Sequence, residues 1–192
     1  MRVCVLARHG QSVLNVEGRV NGDPRVDVEL TEEGRAQAAR LGVQLANVAV
    51  ELCAHSRFER ALHTASIAMQ GRSVPFAEQA LLDDIDVGTL EGEGIAAYRA
   101  WKAAHSRLDL FPGGESFEHL ARRYAQAARW LVSLSEDVVV AVCHEIGIRC
   151  LLNAAAGEDP FDGPVHDIDN ATPFLFDGAA LERAASTVEQ RR

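Results

Sequence analysis

A chain of 192 residues, 47% hydrophobic and 24% charged, is long enough for one ordinary globular domain with a substantial core. A formal net charge of -9 argues against broad binding to nucleic acid or anionic membrane, and no apolar run approaches the roughly 20 residues of a membrane span. No basic region, apolar stretch and cleavage site follow one another at the start, and Cys4, Cys53, Cys143 and Cys150 match neither a disulfide framework nor zinc spacing, so the expectation is a cytoplasmic protein with buried, reduced thiols.

Val3 to Ala7 reads as a short buried strand that stops at Arg8-His9-Gly10. In an open α/β sheet, ligands sit beyond the carboxyl ends of the strands. A histidine there is placed to be a nucleophile, Arg8 to hold an anion, and Gly10 to let the backbone approach that anion closely. A polar loop, residues 11 to 30, leads to Thr31, which caps a helix with Glu32 and Glu33 in its positive first turn. Ala38, Leu41, Leu45 and Val48 form that helix's core face.

Residues 48 to 54 form a second apolar strand ending at His55-Ser56-Arg57, and a helix from about Arg57 to Gln70 puts Arg57 and Arg60 in its first turn. Cations there oppose the helix dipole, and a bound anion would reverse the penalty. A short strand around Val74 to Ala77 precedes an acidic loop from Leu81 to Gly92. A helix near 94 to 104 follows, and then the longest helix, about Glu115 to Ser135, with a clear core stripe. Val138 to Cys143 is a continuous β-branched run, buried on both faces if the sheet is parallel, and it ends at His144. Ile146 to Ala156 reads as a helix. The tail holds two extended runs, Phe174 to Phe176 and Leu181 to Ala184, which suggest an edge hairpin around Gly178.

Three strands thus end in similar chemistry: Arg8 and His9, then Arg57 and Arg60, then His144. If they are neighbours, these arginines and the two histidines converge, and burying such cations is costly without a counter-anion. A phosphoryl group, which Arg binds in bidentate fashion, is the natural one. There is no HExxH, since Ile148 stands where a second histidine would be needed, and no GxGxxG, P-loop or GxSxG.

The ordered set Leu6 to Ser12, Asn15, Gly22, Leu30 to Ala38, Ser56 to Ala65, Asp84 to Gly92, Pro112 to Ser116 and Val142 to His144 resembles the histidine phosphatases, the superfamily that includes cofactor-dependent phosphoglycerate mutases. The resemblance covers nearly the whole chain. It implies that His9 is the nucleophile that becomes phosphohistidine, that Arg8, Arg60 and His144 hold the phosphoryl oxygens with help from Asn15, and that Asp84 is the proton donor. The physical logic agrees. His9 must attack as a neutral imidazole, which adjacent cations favour. The transferring oxygens need preorganised cations, and the leaving oxygen needs a proton.

Two positions depart from the family's pattern. The donor is usually Glu, and Asp84 is one methylene shorter, with Asp83 and Asp86 close enough to compete for the role. The residue after the second histidine is usually Gly and here is Glu145, whose carboxylate repels an anion unless it turns away or meets a cationic part of the substrate. His63 and His119 read as helix-surface residues and Tyr98 and Trp101 as a packed helix face. His55 either lines the pocket or caps the helix.

The expected architecture is a three-layer α/β/α sandwich with a mostly parallel central sheet, phosphoglycerate mutase-like, forming one domain over 1–192. The expected function is a metal-independent phosphatase that hydrolyses a small phosphorylated metabolite without a cofactor and without nucleic-acid or membrane partners. A phosphomutase is the alternative, set apart because the mutases it resembles are longer. A catalytically dead phosphate-binding or interaction module is a further one, and it predicts a missing nucleophile or arginine. The substrate and the oligomeric state, a dimer included, are left open by the sequence.

Overall fold

In this computed structural model, which describes residues 1–191, the two most apolar runs lie side by side at the middle of one sheet. β1 (Val3–Arg8) pairs in parallel with β4 (Val138–Cys143). β2 (Leu52–His55) lies on the far side of β4, and β3 (Phe76–Glu78) lies beyond it, both parallel. β5 (Pro173–Asp177) runs antiparallel along β1, which gives the order β3-β2-β4-β1-β5. The sheet is mostly parallel, as the β-branched runs imply.

The helices in chain order are α1 (Val13–Glu17), α2 (Glu32–Gln44), α3 (Glu59–Ala68), α4 (Ile95–Ala104), α5 (Phe117–Ser133), α6 (Glu145–Ala155) and α7 (Gly178–Gln190). Side-chain alternation along the central strands divides the core in two. Val5, Ala7, Val140 and Val142 pack with Leu41, Phe58, Ala61 and Ala65 of the α2–α3 layer. Cys4, Leu6, Val139, Ala141 and Cys143 pack with Leu120, Leu151 and Leu181 of the α5–α6–α7 layer. The three layers follow. All four cysteines are free and buried. Burial pushes the thiols of Cys53, Cys143 and Cys150 up to about 12 and raises that of Cys4 as well.

Several expectations need correction. Leu181 to Ala184 is not a strand but part of α7. Asp177 caps that helix by accepting from the Ala180 N–H, and Leu181, Ala184, Ala185 and Val188 are its buried face. Gly178, read as a hairpin turn, is its first residue. The loop after His9 contains α1, held by a capping box between Ser12 and Asn15. α3 begins at Glu59, so Arg57 precedes its first turn.

Gly10 is needed for a different reason from the one the sequence suggests. A Cβ built on it would lie 2.4 Å from the Gly34 carbonyl oxygen, and one on Gly34 would lie 2.0 Å from the Gln11 carbonyl oxygen. The turn after β1 is seated against the start of α2, and the Gly10 N–H is taken by Thr64 Oγ1 at 2.9 Å rather than by a ligand. Gly34→Ala is therefore expected to cost about 1–3 kcal/mol or more, because backbone rather than a mobile side chain must move. A thermal unfolding midpoint equal to that of the wild type would show that this contact is not required.

Candidate active site

β1 and β4 end next to each other and deliver the two histidines together. His9 is 3% exposed and His144 fully buried, and their rings stand 5.2 Å apart. The bonding fixes the tautomer of His9. Its Nδ1 lies 2.7 Å from the Gly10 carbonyl oxygen, which can only accept, so Nδ1 carries the proton. Arg60 Nε, which can only donate, lies 3.0 Å from His9 Nε2. The Nε2 lone pair therefore points at a guanidinium, in the direction an anion would occupy. Burial first, then the charges of Arg60, His144 and Arg8, hold His9 well below the usual imidazole range, so it is neutral.

Arg60 is the hub. Its Nη2 reaches Asp84 Oδ2 at 3.0 Å and His144 Nδ1 at 3.2 Å, and its Nη1 donates to Asn21 Oδ1. Phe58, the residue ahead of α3, lies under the guanidinium at 4.2 Å. Thr64, one turn along α3, accepts from the Gly10 N–H and donates to the Arg60 carbonyl at 2.7 Å, which ties the β1 turn to the helix that carries the hub. Ser56 Oγ lies 2.8 Å from His144 Nε2.

The geometry separates the three aspartates. Asp83 is 5% exposed and is taken by Arg57, whose N–H and Nε donate to it at 2.9 and 2.7 Å. Arg57 thus does not join the convergent cations. Asp86 accepts from the Gly88 N–H at 2.9 Å. Asp84 alone faces the histidines, with Oδ2 3.3 Å from His144 Nδ1. Burial pushes its carboxyl up, but His144 and Arg60 outweigh burial and hold it below the usual carboxylate range. Arg123 of α5 clamps the whole acidic loop by donating to the carbonyls of Leu81, Asp83 and Asp84, and Tyr124 donates to that of Leu82.

Glu145 stays on the cavity wall and is matched by a cation of the protein itself. Its carboxylate meets Arg8 Nη1 at 2.8 Å, and the same Nη1 donates to the Ile168 carbonyl at 2.5 Å. These groups line a cavity of about 430 Å³ whose walls include Arg8, His9, Asn15, Arg60, Asp84 and Glu145. Asn15 Oδ1 is occupied by the Ser12 N–H, so only its amide nitrogen is free to face the cavity. Among the described residues no cluster of three or more His, Cys, Asp or Glu side chains is arranged to hold a metal ion, and no helix is long and apolar enough to cross a membrane.

Residues 4–178 match the family model described as histidine phosphatase superfamily, branch 1. The chain belongs to the histidine phosphatase superfamily. It is 31% identical over 187 residues to the 6-phosphofructo-2-kinase/fructose-2,6-bisphosphatase 4 of Rattus norvegicus, covering 91% of this chain but only 38% of that protein's length. It is 28% identical to the 2,3-bisphosphoglycerate-dependent phosphoglycerate mutase of Cytophaga hutchinsonii, covering 92% of this chain and 88% of the mutase. The solved structure of a mycobacterial glucosyl-3-phosphoglycerate phosphatase superposes with a TM-score of 0.75 at 26% identity, covering 91% and 89% of the two chains.

Within this superfamily member, the structure brings Arg8, His9, Asn15, Arg60 and Asp84 onto one cavity, and His144 lies fully buried behind them against Arg60 and Asp84. His55 neither lines it nor caps α3: its Nδ1 bonds the Ser56 carbonyl and its ring sits 6.1 Å from Phe76. Tyr98 and Trp101 both stack on Phe111, and Tyr98 also reaches the cavity wall. Asn21, Ser56, Thr64 and Arg123 carry no periodicity or charge signal that distinguishes them. Ser56 and Thr64 stand out only as members of the run that carries the family resemblance, whereas Arg57 and Arg60 in the same run stand out by charge.

Proposed function

We propose that this protein hydrolyses small phosphomonoesters through a phosphohistidine at His9 Nε2. The presentation of that lone pair, on a neutral ring, to Arg60 carries the reading. Phosphorus bonds to Nε2 as its bond to the ester oxygen breaks, and charge on the transferring oxygens is met by Arg60, His144, Arg8 and the amide of Asn15. Asp84 supplies the proton to the leaving alkoxide. In the empty site Arg60 and His144 keep Asp84 ionised. A phosphoryl dianion draws the Arg60 guanidinium to itself and takes hydrogen bonds from the ring of His144, whose burial favours the neutral form, so the Asp84 carboxyl loses what depressed it and takes up from solvent the proton it then gives. In the second half, water attacks phosphorus, Asp84 accepts its proton, and His9 leaves neutral with inorganic phosphate released. The Asp84 side chain keeps 21% exposure, which leaves a path for that water and favours hydrolysis over transfer.

Length does not separate the two activities, because the chain covers 88% of the Cytophaga hutchinsonii mutase. A direct measurement does. With an alkyl monoester, inorganic phosphate is expected to appear in step with the alcohol and without a bisphosphate primer. Accumulation of isomerised product with negligible free phosphate would replace this reading with a phosphomutase.

A further inference from the structure

We propose that Glu91, acting through Asn21, is a positioning residue for Arg60: it turns the Asn21 amide so that only the carbonyl oxygen faces the guanidinium, and this aims Arg60 at the phosphoryl group. The inference rests on the phosphomonoester reading above and adds to it what orients the arginine.

The Arg60 side chain is 4% exposed. A guanidinium can meet two phosphoryl oxygens at once only if its plane is set in advance. Helix α3 fixes where the side chain begins, but several rotatable bonds separate that point from its tip. Asn21 fixes the tip. Its side-chain Oδ1 accepts from Arg60 Nη1, and its main-chain carbonyl accepts from Nη2 at 3.2 Å. One residue thus holds both terminal nitrogens, which leaves Nε to meet His9 Nε2 at 3.0 Å.

Glu91, near the end of the acidic loop, decides which way the Asn21 amide points. Asn21 Nδ2 donates to Glu91 Oε1 at 2.7 Å and to the Asp23 carbonyl at 3.2 Å. Those oxygens accept and Arg60 donates, so a reversed amide would set donor against donor on one side and acceptor against acceptor on the other. Asn21 therefore lines the cavity with its nitrogen already engaged, as a holder of Arg60 rather than a ligand for an anion. Glu91 Oε2 accepts from the N–H groups of Gly22 at 2.6 Å and Asp23 at 3.0 Å, which holds the turn that carries Asn21. That turn has little room to shift. A Cβ built on Gly22 would lie 2.2 Å from the Ile85 carbonyl oxygen, and the Gly92 N–H donates to the Val20 carbonyl at 3.0 Å.

Charge follows the same chain. Burial pushes the Arg60 guanidinium below its ordinary value, and Asp84 first and then Glu91 oppose that push. Asp84 becomes neutral when it takes up the proton for the leaving group. Glu91 is not on the path of that proton, so its counter-charge stays behind Asn21 throughout.

Calorimetric titration with inorganic phosphate tests the chain of contacts without depending on turnover. Glu91→Gln sets an NH₂ group against Asn21 Nδ2, the Asn21 amide turns over to avoid it, and Arg60 Nη1 then faces a donor. The Kd for phosphate is expected to rise about tenfold. Coulomb's law alone gives the opposite sign, since removing a negative charge near the site favours an anion. Adding Asn21→Asp to Glu91→Gln returns an acceptor to Arg60 and gives the amide at 91 a partner, so the Kd should come back to within about threefold of the wild type. Asn21→Leu leaves Glu91 its two main-chain donors, so the turn stays held, and it should also weaken phosphate binding about tenfold. Thermal unfolding shows which variants are folded. In single-turnover assays Glu91→Gln should slow leaving-group release from an alkyl phosphate and from p-nitrophenyl phosphate by the same factor, because Arg60 acts on the phosphoryl oxygens and not on the departing one. A folded Glu91→Gln or Asn21→Leu protein that binds phosphate as tightly as the wild type overturns the inference. So does a double variant that binds no better than Glu91→Gln, or a loss confined to the alkyl ester, which would place the effect in the acidic loop. A wild type that binds phosphate with this pattern among the variants but releases none from esters would keep the positioning role and lose the hydrolase reading.

Discussion

His9→Ala is expected to lower turnover by about 10⁵–10⁶-fold, the scale on which enzymes lose rate when a covalent nucleophile is removed. No neighbour can replace it. His144 is fully buried, with its two ring nitrogens engaged by Ser56 on one side and by Asp84 and Arg60 on the other. The substitution also leaves Arg60 Nε without the acceptor it has at 3.0 Å, so a stability loss of about 1–3 kcal/mol accompanies it. Circular dichroism and thermal unfolding separate that loss from the catalytic one. Acid-labile phosphate trapped on the quenched wild-type protein should be absent from the variant. Substantial turnover by a folded His9→Ala protein would sink the covalent route.

Asp84→Asn tests the proton donor, and its signature is a dependence on leaving group. An alkoxide departs badly without a proton, whereas nitrophenolate departs well, so phosphorylation of His9 by alkyl phosphates should fall by about 10²–10⁴-fold. The fall for p-nitrophenyl phosphate should be much smaller. Single-turnover release of the leaving group is the right measurement, because in the proposed mechanism Asp84 also acts on water in the second half-reaction and steady-state rates mix the two. Asp83→Asn and Asp86→Asn serve as controls, and their partners define what each control disturbs: Arg57 for Asp83 and the Gly88 N–H for Asp86. Equal losses on both substrates in all three variants would mean that the loop's charge matters and that Asp84 is not the acid. A leaving-group dependence confined to Glu145→Gln would move the assignment to Glu145.

The parts of this fold that were legible in the sequence are those that one local signal determines. The run Val138 to Cys143 is apolar on both faces because helices cover both faces, and Thr31 followed by two glutamates can start only one kind of element. The tail was misread where two signals compete. Phe174 to Phe176 is extended, but the next apolar residues, Leu181, Ala184, Ala185 and Val188, have helical spacing, and Gly178 drew the eye to a turn. At the site, charge made Arg8, Arg60 and the histidines visible. Asn21, Thr64 and Ser56 were not, because they act through single hydrogen bonds between segments far apart in the chain: Asn21 to Arg60, Thr64 to Gly10 and Ser56 to His144. The choice among Asp83, Asp84 and Asp86 depends on which way each side chain turns in an irregular loop, and Arg123, 39 to 42 residues beyond the carbonyls it binds, holds that loop in shape.

The four buried cysteines have a consequence for how this chain meets oxidants. Thiolate, not thiol, is the form that attacks peroxide, and at neutral pH thiols pushed up to about 12, as at Cys53, Cys143 and Cys150, are almost wholly protonated. Cys143 stands directly beside His144 at the end of β4, yet it is packed into the core and offers neither charge nor an exposed sulfur. A phosphatase built on a cysteine nucleophile exposes its most reactive atom to oxidation whenever its site is empty. If the nucleophile is an imidazole, as proposed above, and the sulfurs are inside, peroxide meets no reactive thiolate while the native fold persists.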